Sequence, residues 1–293
     1  MLPLLALDPS LLNLKDEERD FFKAITGIKD DEELREHILA VQKEAYAVFP
    51  YSSIRSFTFT RMTISRLPGY REVLTLAKEM ANPILLDVGC CFGVDIRKAI
   101  HDGWPADQVV ATDIVPEFWD LGHKLFRSSA STFPVPFLAG DIFDSDILTT
   151  IPPAYDAPTA APPDFATLHS LNPLHHRVTA IHASAIFHLF PQDRQLALAH
   201  ALAALLSPAP GSTIFGWSTG KDEAGFVEFE GGVSHPRQYC HSPESWAQLW
   251  NGGVFETGTV EVVAMNREFE EVIGLKLKGD AVLKKMEWAV RRL

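Results

Sequence analysis

The chain is poor in cysteine, and its three cysteines lack any paired arrangement: Cys90 and Cys91 are adjacent and Cys240 stands far away. They form neither a disulfide framework nor a CxxC metal pair, which implies a reducing compartment. Positive charge is also short, with 26 Lys and Arg against 38 Asp and Glu and a formal net charge of −12. Nucleic-acid binding draws its energy from Lys and Arg displacing counterions, so a small or neutral ligand is expected and no nucleic acid. No apolar run approaches the roughly 20 residues that span a bilayer. The opening "MLPLLALDPSLL" lacks the basic n-region and small-residue cleavage site of a secretory signal. A soluble, cytoplasmic protein without a membrane partner is the expectation. Histidine is plentiful, but the close set His169, His175 and His176 lacks ligand spacing, so no metal is expected.

What is present is ordinary globular material, 293 residues at 46% hydrophobic and 22% charged, enough for a large core. Leu34, Ile38, Val41, Ala45 and Val48 recur at helical spacing between Asp30 and Phe49, with four acids at the first turn and Pro50 as the stop. A second helix is predicted over Tyr70–Met80. Short apolar runs at 84–88, 109–112, 135–139, 178–183 and 213–217 read as buried parallel strands. Helical patterns at 95–101, 116–126 and 191–206 lie between several of them, the last with Leu196, Ala199, Leu202, Ala203 and Leu206 on one face. The Pro- and Ala-rich stretch 150–164 reads as a surface insertion, and Ser242-Pro243 opens a further helix with Trp246, Leu249 and Trp250 on its apolar face. Two closing strands are expected in "TVEVVAMNREF" and "AVLKKMEWAVRRL". The predicted fold class is α/β, a doubly wound, mostly parallel seven-stranded sheet with helices on both faces. Residues 1–82 form an N-terminal helical cap and residues 83–293 the ligand-binding domain, in one continuous unit.

The stretch "ILLDVGCCFGVD", residues 84–95, is a strand, a turn through Gly89 and Gly93, and a helix start. Such a crossover lies at the C-terminal edge of a sheet, the usual ligand position in open α/β folds. It lacks the GxGxxG of a dinucleotide loop and the GK[ST] of a P-loop, and Asp87 would repel a pyrophosphate. A cationic ligand suits it better. Asp113 ends the second strand, where a carboxylate can accept ribose hydroxyl protons; Asp141 ends the third, within reach of an adenine amino group. Each acid alone reads more readily as a strand-end residue or a helix cap, but three at successive strand ends point to an adenosine ligand.

In these residues the chain resembles the class I S-adenosylmethionine-dependent methyltransferases, whose Asp/Glu-x-Gly-x-Gly-x-Gly loop falls on Asp87, Gly89, Cys91 and Gly93. The resemblance covers roughly residues 84–220 and implies a Rossmann-like sheet with S-adenosyl-L-methionine as cofactor. It places the ribose at Asp113 and the adenine at Asp141, with Cys90, Ile114, Ile142 and Ala183 completing the cofactor site; Arg61 of the basic N-terminal segment is the expected partner of the methionine carboxylate. "LLDVGCCFGVDIRKAI", "PEFWDLGHKLFRS" and "CHSPESWAQLW" are similar to fungal secondary-metabolite methyltransferases, the meroterpenoid carboxyl methyltransferases among them. Cys91 departs from the family, since a Cβ replaces the middle glycine and disfavours positive φ. The cysteines read as packed hydrophobes rather than nucleophiles.

For the methyl acceptor, His188 after the fourth strand is the first catalytic candidate, with His182 and Ser184 on the same edge and His241 beside the Ser242 cap. Tyr51, Arg55 and Phe59 of the alternating aromatic and basic N-terminal segment are the expected acceptor cover, Arg55 as a clamp for a carboxylate. A small apolar natural-product acid, methylated on oxygen, is the leading expectation. Phenol or enol O-methylation and C-methylation stay open, as do an NAD-dependent oxidoreductase, a non-catalytic S-adenosylmethionine-binding protein and a homodimer.

Overall fold

The computed structural model describes residues 6–159, 161, 163–229, 237–269, 277–279 and 282–293. Positions 160 and 162 of the Pro- and Ala-rich stretch, and 281 at the start of the last expected strand, lie outside the described residues.

Eight helices of α type occur among the described residues: α1 (Asp16–Thr26), α2 (Asp31–Val48), α3 (Ser52–Arg55), α4 (Tyr70–Glu79), α5 (Val94–His101), α6 (Pro116–Leu125), α7 (Gln192–Leu205) and α8 (Pro243–Trp250). The strands are β1 (Ile84–Val88), β2 (Val109–Asp113), β3 (Phe137–Ala139), β4 (Val178–His182), β5 (Thr213–Gly220), β6 (Gly225–Glu228), β7 (Arg237–Cys240), β8 (Val260–Arg267) and β9 (Lys284–Arg292). Seven of them form one sheet in the order β3-β2-β1-β4-β5-β9-β8. The first five run parallel, and β9 is antiparallel to both β5 and β8. The chain turns back at β1, so the ends of β1 and β4 diverge there and leave a crevice. All five residues of β1 are buried, as expected of a strand covered on both faces.

Local chemistry sets these boundaries. The Asp30 carboxylate accepts from the backbone N–H groups of Glu32 and Glu33 and starts α2. Ser242 and Ser245 satisfy each other's backbone donors at the start of α8, whose Trp246 and Trp250 are wholly buried. The expected strand at 135–139 contracts to Phe137–Ala139 because Pro136 has no N–H to give the ladder. In α7 the buried face runs through Leu198, Ala199, Leu202 and Leu205, while Leu196 is 40% exposed, so Leu196 does not belong to the inward stripe.

The N-terminal helices are not a separate body. Phe21 and Phe22 of α1, Leu34, Ile38 and Val41 of α2, and Phe57 and Phe59 share one apolar cluster with Phe92 of the glycine loop and with Phe118 and Phe126 in and beyond α6. Gln42 Nε2 donates to the carbonyls of Ile54 and Arg55, fastening α3 to α2. The cap is therefore held over the loop by burial of aromatic surface, a contribution of about 1.5–3 kcal/mol per large side chain. Helix α1 and the antiparallel β6–β7 pair were not anticipated from the sequence. Among the described residues no helix is long and apolar enough to cross a membrane.

Candidate active site

A cavity of about 870 Å³ opens at the C-terminal ends of β1, β2 and β4, beneath the N-terminal cap. Its wall at one end is the glycine loop and the strand-end acids. Gly89, Cys90 and Cys91 line it, together with Asp87, Asp113, Ile114, Asp141 and Ile142. Gly89 and Cys91 both take positive φ, +73° and +49°. Cys91 thus occupies the left-handed conformation that its side chain disfavours, which costs about 1–2 kcal/mol. Its N–H donates to Asp113 Oδ2 at 2.8 Å, and Val115 N–H donates to Asp113 Oδ1 at 2.9 Å. The acid at the end of β2 therefore fixes the loop while each of its oxygens keeps a second lone pair. Burial raises the Asp113 pKa above the ordinary value, against the backbone donors of Val115, Cys91 and Ile114. Asp141 Oδ1 accepts from Phe143 N–H at 3.0 Å, a turn that aligns it beside Ile142.

Behind the loop, Gly93 (φ +65°) starts α5 without lining the cavity. A Cβ there would lie 2.8 Å from the Trp119 ring and 3.0 Å from Arg97 Nη1, so the position is closed to a side chain. Arg97 is 4% exposed, and it donates to the carbonyls of Phe92 and Gly93 while its guanidinium centre sits 3.8 Å from the Phe133 ring centroid. Burial lowers its pKa to about 9, which leaves it charged at neutral pH. It is a buttress for the loop, recognisable in sequence only as one more helical arginine. Burial likewise raises the thiol pKa of Cys90 and Cys91 well above the ordinary value, which keeps them un-ionised and unreactive.

Asp87 does not face the cavity as a free carboxylate. It is 2% exposed, and its Oδ1 accepts from His182 Nδ1 at 2.7 Å. The carboxylate at the α5 start is Asp95, half-buried in the wall and accepting from Ile64 N–H at 2.8 Å. Burial raises its pKa to about 6. The sequence reading missed it because a first-turn acid is ordinary helix chemistry.

The other end of the cavity is apolar with a charged corner. Leu189, Phe190, Trp217 and Phe269 line it beside His188, Arg267, Lys285 and Glu287. Lys285 Nζ is 2.9 Å from Glu287 Oε1 and 5.5 Å from the Trp217 ring centroid, and Arg267 Nε is 3.5 Å from Glu287 Oε2. Register explains the grouping: Thr219, Lys285 and Arg267 are opposite one another across β5, β9 and β8, as are Trp217 and Glu287. The alternating Lys285 and Glu287 in "KKMEWAVRR" were the available signal. His188 Nδ1 accepts from Thr219 N–H at 3.4 Å, which places the proton of the neutral ring on Nε2. Burial lowers its pKa to about 4, so it is a neutral donor at physiological pH.

Tyr51, Phe59, Arg61, His182 and Ser184 also line the cavity. Besides Gly93, three expected residues do not. Arg55 donates instead to the Ala6 carbonyl at 2.9 Å, on the outer side of the cap. His241 packs beside Tyr239 and Trp246 with Nδ1 2.9 Å from Ser245 Oγ, and Ala183 is wholly buried behind the turn that follows β4. Arg61 and Arg66 both pair with Glu18, a fully buried residue of α1. Among the described residues no cluster of His, Cys, Asp and Glu could hold a metal ion.

The sheet order, with the single antiparallel strand β9 inserted between β5 and β8, and the acids at three successive strand ends define a class I methyltransferase fold. Residues 7–60 match the model of the meroterpenoid methyltransferase N-terminal domain, the cap described above. O-methyltransferase phiE of a fungal species (strain ATCC 74256) is 30% identical over 240 residues, covering 82% of this chain and 71% of that protein. The Asnovolin E/Chermesin D methyltransferase nvfJ of Aspergillus novofumigatus is 30% identical over 236 residues, 78% of this chain and 72% of that one. Methyltransferase trt5 of Aspergillus terreus is 28% identical over 259 residues, 86% and 83% of the two chains. The chain belongs to this family of fungal secondary-metabolite methyltransferases, which are S-adenosylmethionine-dependent enzymes.

Proposed function

We propose that this enzyme methylates a carboxylate oxygen of a small, largely apolar natural-product acid. The observation that carries the reading is the charged corner of an otherwise apolar chamber. There Arg267 and Lys285 face the cavity beside Trp217. Lys284, outside the cavity lining, takes up the Glu268 carboxylate, which leaves Arg267 and Lys285 sharing the single carboxylate of Glu287. A carboxylate acceptor would add a charge-assisted hydrogen bond there that a neutral acceptor cannot.

The residues fit the cofactor. Asp113 would hold the ribose hydroxyls, Asp141 the adenine amino group between Ile114 and Ile142, and the backbone of Gly89–Cys91 the amino-acid part. Asp87 is engaged by His182, so Asp95 is the acid left to meet the cationic end. S-adenosylmethionine supplies an electrophilic methyl group on a sulfonium. The chain's own contribution is to align the acceptor and exclude water. His188 serves as a hydrogen-bond donor to the acceptor rather than as a base, because its Nδ1 is engaged and its pKa is about 4.

The test is transfer of labelled methyl from S-adenosylmethionine to a panel of terpenoid and aromatic acids, against matched alcohols and phenols. Label in the acids alone, released by mild alkali as an ester would be, is the expected result. Label only in phenols, or label stable to alkali, would contradict the carboxylate assignment.

A further inference from the structure

Asp87 and His182 are opposite residues of β1 and β4, so strand pairing sends both side chains to the same face of the sheet. His182 Nδ1 is 2.7 Å from Asp87 Oδ1, and His182 Nε2 is 2.7 Å from Ser184 Oγ. Asp87 and His182 are each 2% exposed, whereas Ser184 is half-buried in the cavity wall. We infer that Asp87, His182 and Ser184 form a proton relay, with Ser184 Oγ the group that takes a proton from the oxygen of an un-ionised acceptor.

Hydrogen-bond inventory fixes the direction. An ionised Asp87 only accepts, so Nδ1 of the neutral ring carries the proton; Nε2 is then an acceptor and the Ser184 hydroxyl donates to it. Ser184 Oγ is left with lone pairs for a proton arriving from the cavity. As the acceptor O–H gives its proton to Ser184 Oγ, the Ser184 proton passes to His182 Nε2. The acceptor oxygen keeps the electron pair as nucleophile, and the imidazolium is balanced by Asp87. His188 offers no comparable route, since its Nδ1 already accepts from Thr219.

The turn that presents Ser184 is tightly held. Ala185, the next residue, has φ +57°, in the region that favours glycine. Its N–H donates to Trp217 O at 2.8 Å, and Ala183 N–H donates to Phe215 O at 2.9 Å. Strand β5 approaches so closely that a Cβ on Gly216 would fall 2.2 Å from the Ala183 carbonyl oxygen. Backbone held in such a conformation by its surroundings is the form in which catalytic turns are built.

The charged and titratable groups facing His182 are Asp87 from β1 and Asp95 from α5. Lys285 of β9 acts on Asp95, and the Cys90 thiol near Asp87 is un-ionised. Burial alone would lower the imidazole pKa, but Asp87 and Asp95 outweigh it and hold the pKa above its ordinary value. The relay is thus in its proton-accepting form above the His182 pKa. Below the His182 pKa the ring donates to Ser184 and the relay is blocked. An ionised carboxylate has no need of it. An acid that enters the apolar chamber un-ionised, an enol or a phenol does, so the relay widens the acceptor class beyond the carboxylate reading.

Diisopropyl fluorophosphate tests it on the whole chain without any acceptor. Attack of Ser184 Oγ on phosphorus expels fluoride and sends the serine proton to His182 Nε2, so labelling reports the relay directly. The expected result is a phosphoryl adduct at Ser184 by peptide mass spectrometry, formed about 10²-fold more slowly in His182→Gln and slowed as pH falls through the His182 pKa. No adduct at Ser184, or an equal rate in His182→Gln, would overturn the proposal. Nitrogen-15 NMR of the unsubstituted protein gives a second reading that needs no variant. A proton on His182 Nδ1 with Nε2 bare is expected, and the opposite tautomer would overturn it. Neither measurement involves a methyl acceptor, so failure of the carboxylate assignment and failure of the relay are told apart.

Discussion

At the Asp113 end of the cavity the polar groups come from one stretch of chain, residues 87–142, and the backbone of three successive strand ends aims them. At the Lys285 end they come from residues 188, 217, 267 and 285, and side chains across three strands do the work. The first end is stiff because its acids are tied to main-chain donors, as Asp113 is to Cys91 and Val115. The second is an apolar room whose charges pair with one another. Such a division lets one end keep a fixed ligand while the other changes its acceptor by side-chain replacement alone.

Substitutions should separate the two ends. The largest effect is expected at Gly93, where alanine must adopt positive φ and push Trp119 and Arg97. Gly93→Ala should lose about 3 kcal/mol of stability by urea unfolding, whereas a loss within experimental error would mean the loop is not packed as described. Next, Asp113→Ala should weaken S-adenosylhomocysteine binding by about 1–3 kcal/mol in calorimetry, while Lys285→Met leaves it within about twofold and removes turnover of acids instead. Equal losses in both variants would erase the distinction between the ends.

A smaller, pH-dependent effect belongs to His188. Its folded pKa of about 4 lies below the ordinary 6.5, so its contribution to stability is complete above about pH 6.5 and is lost as pH falls toward 4. Between pH 7.5 and pH 5 the chain should lose about 2 kcal/mol more than His188→Phe, on the order of the linkage such a shift carries. Parallel pH profiles for the two proteins would contradict the half-buried, neutral histidine. The smallest effect is at Cys91, where glycine removes the positive-φ strain. Cys91→Gly should gain about 1 kcal/mol in unfolding and bind S-adenosylhomocysteine unchanged, whereas lost binding would give the Cys91 side chain a direct role.

The difference between the ends also governs how far each was legible in the sequence. The loop, Asp113 and Asp141 could be read because strand ends follow from apolar runs and the ligand edge follows from strand ends. The Lys285 corner depends on which strands become neighbours: β9 inserts between β5 and β8, and nothing local in "KKMEWAVRR" announces that. Arg55 illustrates the same limit, for the alternation of aromatic and basic residues was visible while the side of the cap it faces was not. Asp87 was read as a partner for a cationic ligand, but its neighbour across the β1–β4 pairing is His182, and register alone decides that. Glu18 escaped notice because helix α1 was not anticipated, although a buried carboxylate holding two arginines is central to the cap.

The most direct measurement is a crystal structure of the chain with S-adenosylhomocysteine. The ribose hydroxyls should lie on Asp113, the adenine beside Asp141 and Ile142, and the sulfur should point toward the chamber that holds Ser184, His188 and Lys285. A nucleoside bound anywhere else, or one whose sulfur faces away from that chamber, would contradict this placement.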